Sequence, residues 1–240
     1  MIQIPNVNVT LPSFWKQVVL QNVHADIKFR KYHWFWRYMP KMKNVVYTLN
    51  NTIWFYSDSD YNKLAEKCML EPILGHEFMH LWQKQTYRVT WFGYNCPQSL
   101  ALFTVPLSWL LLGPGMALFI GVIGLLPWYS KRRMDAELSA YKMQLLVSMV
   151  KLRSLGCPID IVAKWHRNYV EDYLKLMFSS FYWCQWTVPL TRDVYREELN
   201  NFFEHVLQAM DQLAFVRKNS YLYPVGIEGI YRTVFNHYLQ

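Results

Sequence analysis

The chain has 240 residues, enough for one large domain or two small ones with a full core. Hydrophobic residues make up 52% and aromatics 18%, against 18% charged, which excludes a disordered chain and leaves more apolar surface than an ordinary soluble domain carries. The net charge of +8 points to an anionic surface among its surroundings, but the basic residues are scattered and no zinc-finger, RNA-recognition or helix-turn-helix signature is present, so nucleic-acid binding is not expected.

Cys68, Cys96, Cys157 and Cys184 lie far apart and form neither a Cys-x-x-Cys pair nor a disulfide framework. The opening Met-Ile-Gln-Ile-Pro-Asn lacks the basic and apolar regions of a secretory signal. Reduced thiols in a cytoplasmic setting are expected, with membrane association or a place in a virion as the other settings. One domain over 1–240 is expected, α+β and mainly α. It divides into an N-terminal arm and helix (1–44), a core (45–155) and a helical part (156–240).

Residues 1 to 13, with Pro5 and Pro12, read as an extended arm. The spacing of Phe14, Val18, Val19 and Val23 predicts a helix from about Ser13 to Phe29. The aromatic and cationic cluster from Tyr32 to Pro40 reads as core with cation–π packing. Two β-branched and aromatic runs, Val45 to Leu49 and Thr52 to Tyr56, flank Asn50-Asn51 and predict a small antiparallel hairpin. The run Ser57-Asp58-Ser59-Asp60 caps a helix expected to continue through Leu70, and a second helix is expected from about Pro72 to Gln85.

From Val89 to Ser130, 42 residues pass without a charge or a histidine. Two apolar stretches, Leu100 to Leu112 and Met116 to Leu126, are separated by Gly113-Pro114-Gly115. Each arm gives only about 20 Å of helix, short of the roughly 30 Å hydrocarbon core of a bilayer. A helical hairpin over 99–128 is therefore expected, lying either in lipid or within protein or an assembly. Further helices are expected from Arg133 to about Leu155, from Ile159 to Phe178 and from Arg192 to Phe215. A short terminal helix follows.

The candidate chemistry begins with His76-Glu77-Phe78-Met79-His80. Residues four apart share one helix face, so both imidazoles can reach one metal ion while Glu77 works on its water. A catalytic zinc site needs a third protein ligand and an open position. Glu137, on a later helix in the run Glu137-Leu138-Ser139-Ala140-Tyr141, can supply that ligand. Because this glutamate lies beyond the apolar segment, that segment must turn back and cannot be a lone transmembrane span.

These two motifs resemble those of the gluzincin metallopeptidases over about residues 45 to 150. The apolar insertion between them is similar to the arrangement in the HtpX and CAAX prenyl protease family. Where that family has Asp four residues after the ligand glutamate, this chain has Tyr141. Small phage and bacterial zincin-like proteins show a related second motif. The resemblance implies a zincin-like fold with the β-hairpin beside the metal helix, and a Zn²⁺-dependent hydrolase of protein or peptide substrates.

In that reading His76, His80 and Glu137 hold Zn²⁺, and Glu77 is the general base. Tyr141 could orient a ligand. His166 is a candidate to stabilise the oxyanion, together with Tyr169, His205, Tyr221 and Tyr223, although an ordinary structural role is the commoner one for each. Glu71 and Asp135 are expected to serve structurally, as are His24, His33 and His237. The competing expectation is a non-catalytic structural or assembly protein that keeps a zincin-like fold and uses 99–128 for membrane or assembly contact.

Overall fold

The structure, a computed structural model, describes residues 26–32, 46–49, 51–86, 102–125, 131–179, 192–212 and 227–239. The expectations for the N-terminal arm, the first helix up to residue 25, the cluster after Tyr32, His24, His33, Tyr221 and Tyr223 lie outside these residues. Among the described residues the protein is α+β and mainly α, with eight helices and a three-stranded mixed sheet.

Strand β1 (Asp26–Phe29), β2 (Tyr47–Leu49) and β3 (Thr52–Phe55) are ordered β1-β3-β2. β3 is antiparallel to β2, with Thr48 opposite Ile53, and parallel to β1, with Ile27 also opposite Ile53. The expected hairpin is therefore present, and Asn51 at its turn takes φ 60, a left-handed conformation that asparagine tolerates. Residues 26–29 correct the expected helix to Phe29. Their backbone groups pair with β3, a partner distant in sequence, and Ile27 and Phe29 alternate with exposed Asp26 and Lys28. Phe29, Phe55 and Tyr61 then pack ring on ring, with Phe55 and Tyr61 edge-on at 5.0 Å.

Helix α1 (Asp58–Glu66) starts where the Ser57 hydroxyl accepts the Asp60 amide at 3.2 Å, and α2 (Leu70–Thr86) follows. The expected single helix through Leu70 is corrected here. Cys68 takes φ 56, the Met69 and Cys68 amides donate back to Leu64 and Ala65, and the chain turns before α2 begins. Pro72 falls in the first turn of α2, where a missing amide hydrogen costs nothing.

Helices α3 (Val105–Leu112) and α4 (Pro114–Leu125) pack on one another as the expected hairpin. Gly113, at φ 86, makes the turn. None of the helices among the described residues is long and apolar enough to cross a membrane.

Helix α5 (Lys131–Ser154) is the central element and packs against α2, α6 (Ile159–Met177), α7 (Arg192–Asp211) and α8 (Ile227–Leu239). It is buried on several faces at once: Met134, Leu138 and Leu145 on some, Met143, Leu146 and Val150 on others. Each such side chain contributes about 1.5–3 kcal/mol by leaving water. Polar ties fix its neighbours. Lys142 donates to Glu198 of α7 at 2.8 Å, Lys151 to Glu71 of α2 at 2.9 Å, and Tyr231 of α8 to the Ser139 carbonyl at 3.0 Å. α5 ends at Gly156, φ 87, with the Cys157 and Gly156 amides returning to Leu152 and Arg153.

Candidate metal centre

His76 and His80 occupy successive turns of α2 on the face that meets α5, and Glu137 reaches them from the second turn of α5. The two Nε2 atoms face each other at 3.2 Å, and Glu137 Oε2 stands 3.6 Å from that of His76 and 3.5 Å from that of His80. Three lone-pair-bearing atoms thus converge on one point. Glu137 Oε2 is buried without a hydrogen-bond partner. A tetrahedral zinc ion with bonds of about 2.0–2.1 Å separates its donor atoms by about 3.3–3.4 Å. The observed triangle brackets that value, so the group could hold a metal ion, and one of this size fits.

The electrostatics agree. Burial alone would lower the basicity of His80, but the Glu137 carboxylate, with Glu77 and Gln83, more than offsets it and raises the imidazole to about 9. Burial would raise the Glu137 carboxyl, and the two histidines overcome it and hold the group below its ordinary range. A cluster that favours positive charge this strongly favours a cation, and protons compete with it for the same nitrogens.

Two supporting residues were not singled out in the sequence. Gln83, buried one turn beyond His80, donates its amide to the Ala136 carbonyl of α5 at 3.2 Å. This orients its Oε1 to accept from His80 Nδ1 at 3.4 Å, which turns the His80 Nε2 lone pair toward the cluster. Thr48, on β2, donates its hydroxyl to Glu77 Oε2 at 2.7 Å. Farther along α2, Lys84 donates to Asn51 at the hairpin turn at 3.1 Å. β2 and the hairpin turn thus lie against α2. Gln83 was within reach of sequence reasoning, because it shares the His76 and His80 face. Thr48 was not, because only the tertiary fold brings it to Glu77.

Tyr141, one turn beyond Glu137, packs edge-on against His76 with ring centroids 4.6 Å apart. Behind it Tyr173 stacks at 4.8 Å, Tyr169 stacks on Tyr173 at 6.0 Å, and His166 meets Tyr169 at 5.1 Å. His166 therefore lies at the far end of a row of rings that begins at His76. Both its ring nitrogens are engaged: Nδ1 donates to the Val162 carbonyl at 2.8 Å, and Nε2 accepts from Ser148 at 2.7 Å. His205 is buried on α7. Glu71 accepts from Lys151 and from the Tyr238 hydroxyl, and Asp135 accepts from Tyr195 at 2.7 Å. His237 packs against Tyr238 near the end of α8.

Comparison of the chain with family models, with curated proteins and with solved structures found no match.

Proposed function

We propose that the protein is a zinc-dependent metallopeptidase of gluzincin type, with a zincin-like core. The observation that carries this reading is the convergence of His76, His80 and Glu137 at donor spacings that suit one tetrahedral ion, on a helix that also carries Glu77. Zinc bound there would supply Lewis acidity, polarising a carbonyl and acidifying water at its open position.

The chain's own residues supply the remaining chemistry. Glu77, its carboxylate held by Thr48, takes the proton of the attacking water and passes it to the leaving amine. Gln83 keeps His80 turned toward the cluster, and the Tyr141 ring packs edge-on against that of His76. β2 lies at an edge of the described sheet, beside α2, and an extended peptide is the form of substrate that such an edge pairs with.

The test is metal content and proteolysis of an unfolded protein, measured on the purified wild type and on Glu77→Gln and His80→Ala. One zinc per chain is expected in the wild type and in Glu77→Gln but not in His80→Ala, with hydrolysis in the wild type alone. A wild-type chain with no stoichiometric metal sinks the proposal. A Glu77→Gln chain that keeps its biological activity favours the non-catalytic assembly role.

A further inference from the structure

We propose that α3 and α4 insert as a hairpin into one leaflet of an anionic membrane. The proposal stands on the hairpin and its flanks and does not rest on the metal chemistry.

The hairpin is packed the opposite way from a water-soluble helix pair. Ser108, Ala117 and Gly124 are its buried residues, and a Cβ added at Gly121 would stand 3.9 Å from Val105. Small residues thus lie between the arms, as in helix pairs surrounded by lipid. The large apolar residues point away: Leu110 is 80% exposed, Phe103 76%, and Leu107, Leu111, Leu118 and Phe119 are all above half. Most of the exposed large apolar side chains among the described residues are on these two helices. In water, that much contiguous apolar surface is costly.

Polar groups that lipid would penalise are few. Between residues 102 and 125 the polar side-chain groups are the Thr104 and Ser108 hydroxyls and the Trp109 indole N–H, and the Ser108 hydroxyl donates to the carbonyl of Thr104, the N-cap of its own helix, at 2.8 Å. The arms are apolar on every side, whereas a helix that docks in a protein groove keeps a polar outer face. Lipid, which surrounds both arms, suits this better than a protein groove, which would cover one face only. Length then sets the depth. Arms of 8 and 12 residues span about 12 and 18 Å, close to the roughly 15 Å of a single leaflet and far short of the whole core.

Charge selects the kind of membrane. Lys131, Arg132 and Arg133, six to eight residues after the end of α4, form the first turn of α5, which has no acidic residue. These three adjacent cations follow directly in sequence on the uncharged stretch, the pattern that an anionic headgroup surface attracts. In sequence, Trp91, Phe92 and Tyr94 precede the hairpin, and Trp128 and Tyr129 follow it, the residue types that settle at headgroup level. Glu137 is six residues, about 9 Å of helix, beyond Lys131, so insertion would hold the metal centre close to the membrane surface.

The full chain is tested by flotation with vesicles of phosphatidylcholine alone and of phosphatidylcholine mixed with phosphatidylglycerol. The wild type should float with the mixed vesicles. Leu110→Asp combined with Phe119→Asp should lower its partitioning at least about tenfold at unchanged helical circular dichroism, because both positions are exposed and their loss leaves the core intact. Lys131→Gln with Arg132→Gln and Arg133→Gln should abolish the preference for the mixed vesicles. Lipids brominated on their acyl chains should quench the fluorescence difference between wild type and Trp109→Phe. A wild type that floats with neither vesicle, or an aspartate pair that floats as well as the wild type, overturns the proposal. So does a wild-type oligomer that the aspartate pair disperses in the absence of vesicle binding, which would assign the surface to a second copy of the chain.

Discussion

The Thr48 hydroxyl donates to Glu77 Oε2 at 2.7 Å and so fixes the orientation of a carboxylate on α2 from the edge strand of the sheet. It also contacts the Glu77 backbone carbonyl at 3.4 Å. Thr48→Val keeps the shape and removes the donor. Under the proposed function, this variant should keep its metal and lose about 10–100-fold in the turnover number, with little change in KM. Thr48→Ser should restore most of the rate. A Thr48→Val chain with wild-type turnover would show that the bond is incidental to catalysis.

Gln83→Ala should weaken metal binding by about 10–100-fold, because His80 loses the acceptor that turns its Nε2 toward the cluster. Competition with a chelator of known affinity measures this directly. In the wild type, metal at 1,000 times its dissociation constant stabilises the fold by about 4.1 kcal/mol, so removing it with chelator should lower the melting temperature. The same treatment of a His76→Ala chain should change nothing.

Stability should depend on pH through His166. Burial lowers its basicity, only partly offset by its bond to Val162, and the fold holds the neutral tautomer between Ser148 and Val162. Below the unfolded-state value of about 6.5, the unfolded chain takes up a proton that the folded chain resists. The contribution is therefore complete above that pH and is lost as pH falls toward the lower folded value. Urea midpoints from pH 8 to 5 should fall more steeply for the wild type than for His166→Gln.

Two turns, at either end of α1, make opposite predictions. Cys68 is exposed and held at φ 56, a conformation that costs a residue with a side chain about 1–2 kcal/mol. Cys68→Gly should therefore stabilise the protein, by somewhat less than that amount once the added freedom of the unfolded chain is subtracted. Ser57→Ala should destabilise it by about 0.5–2 kcal/mol by removing the cap on the Asp60 amide. Urea denaturation of the two variants gives both signs.

Local signals made much of this molecule legible in advance. The helix of His76 and His80, the turn at Gly113, and the periodicity of Leu199, Phe202, Val206 and Met210 all follow from residues within a few turns of one another. Glu137 was found because its motif carries its own spacing. What escaped depended on distant partners. β1 exists because β3 offers it a parallel ladder, and the alternation over Asp26, Ile27, Lys28 and Phe29 is only four residues long, too short to stand out from the helical spacing that precedes it. Thr48 matters only because β2 lies against α2. The break at Cys68 was hidden because a left-handed turn there ordinarily carries glycine or asparagine.

The central position of α5 has a consequence for the order in which the protein comes apart. Its amides are enclosed by α2, α6, α7 and α8, and should exchange with solvent hydrogen last, at the free energy of complete unfolding. The sheet and α1 are smaller bodies and should open at lower cost. Partial opening would then release Glu77 from Thr48 while Glu137 stays anchored, so the Glu77 carboxylate should lose its place before the Glu137 carboxylate does.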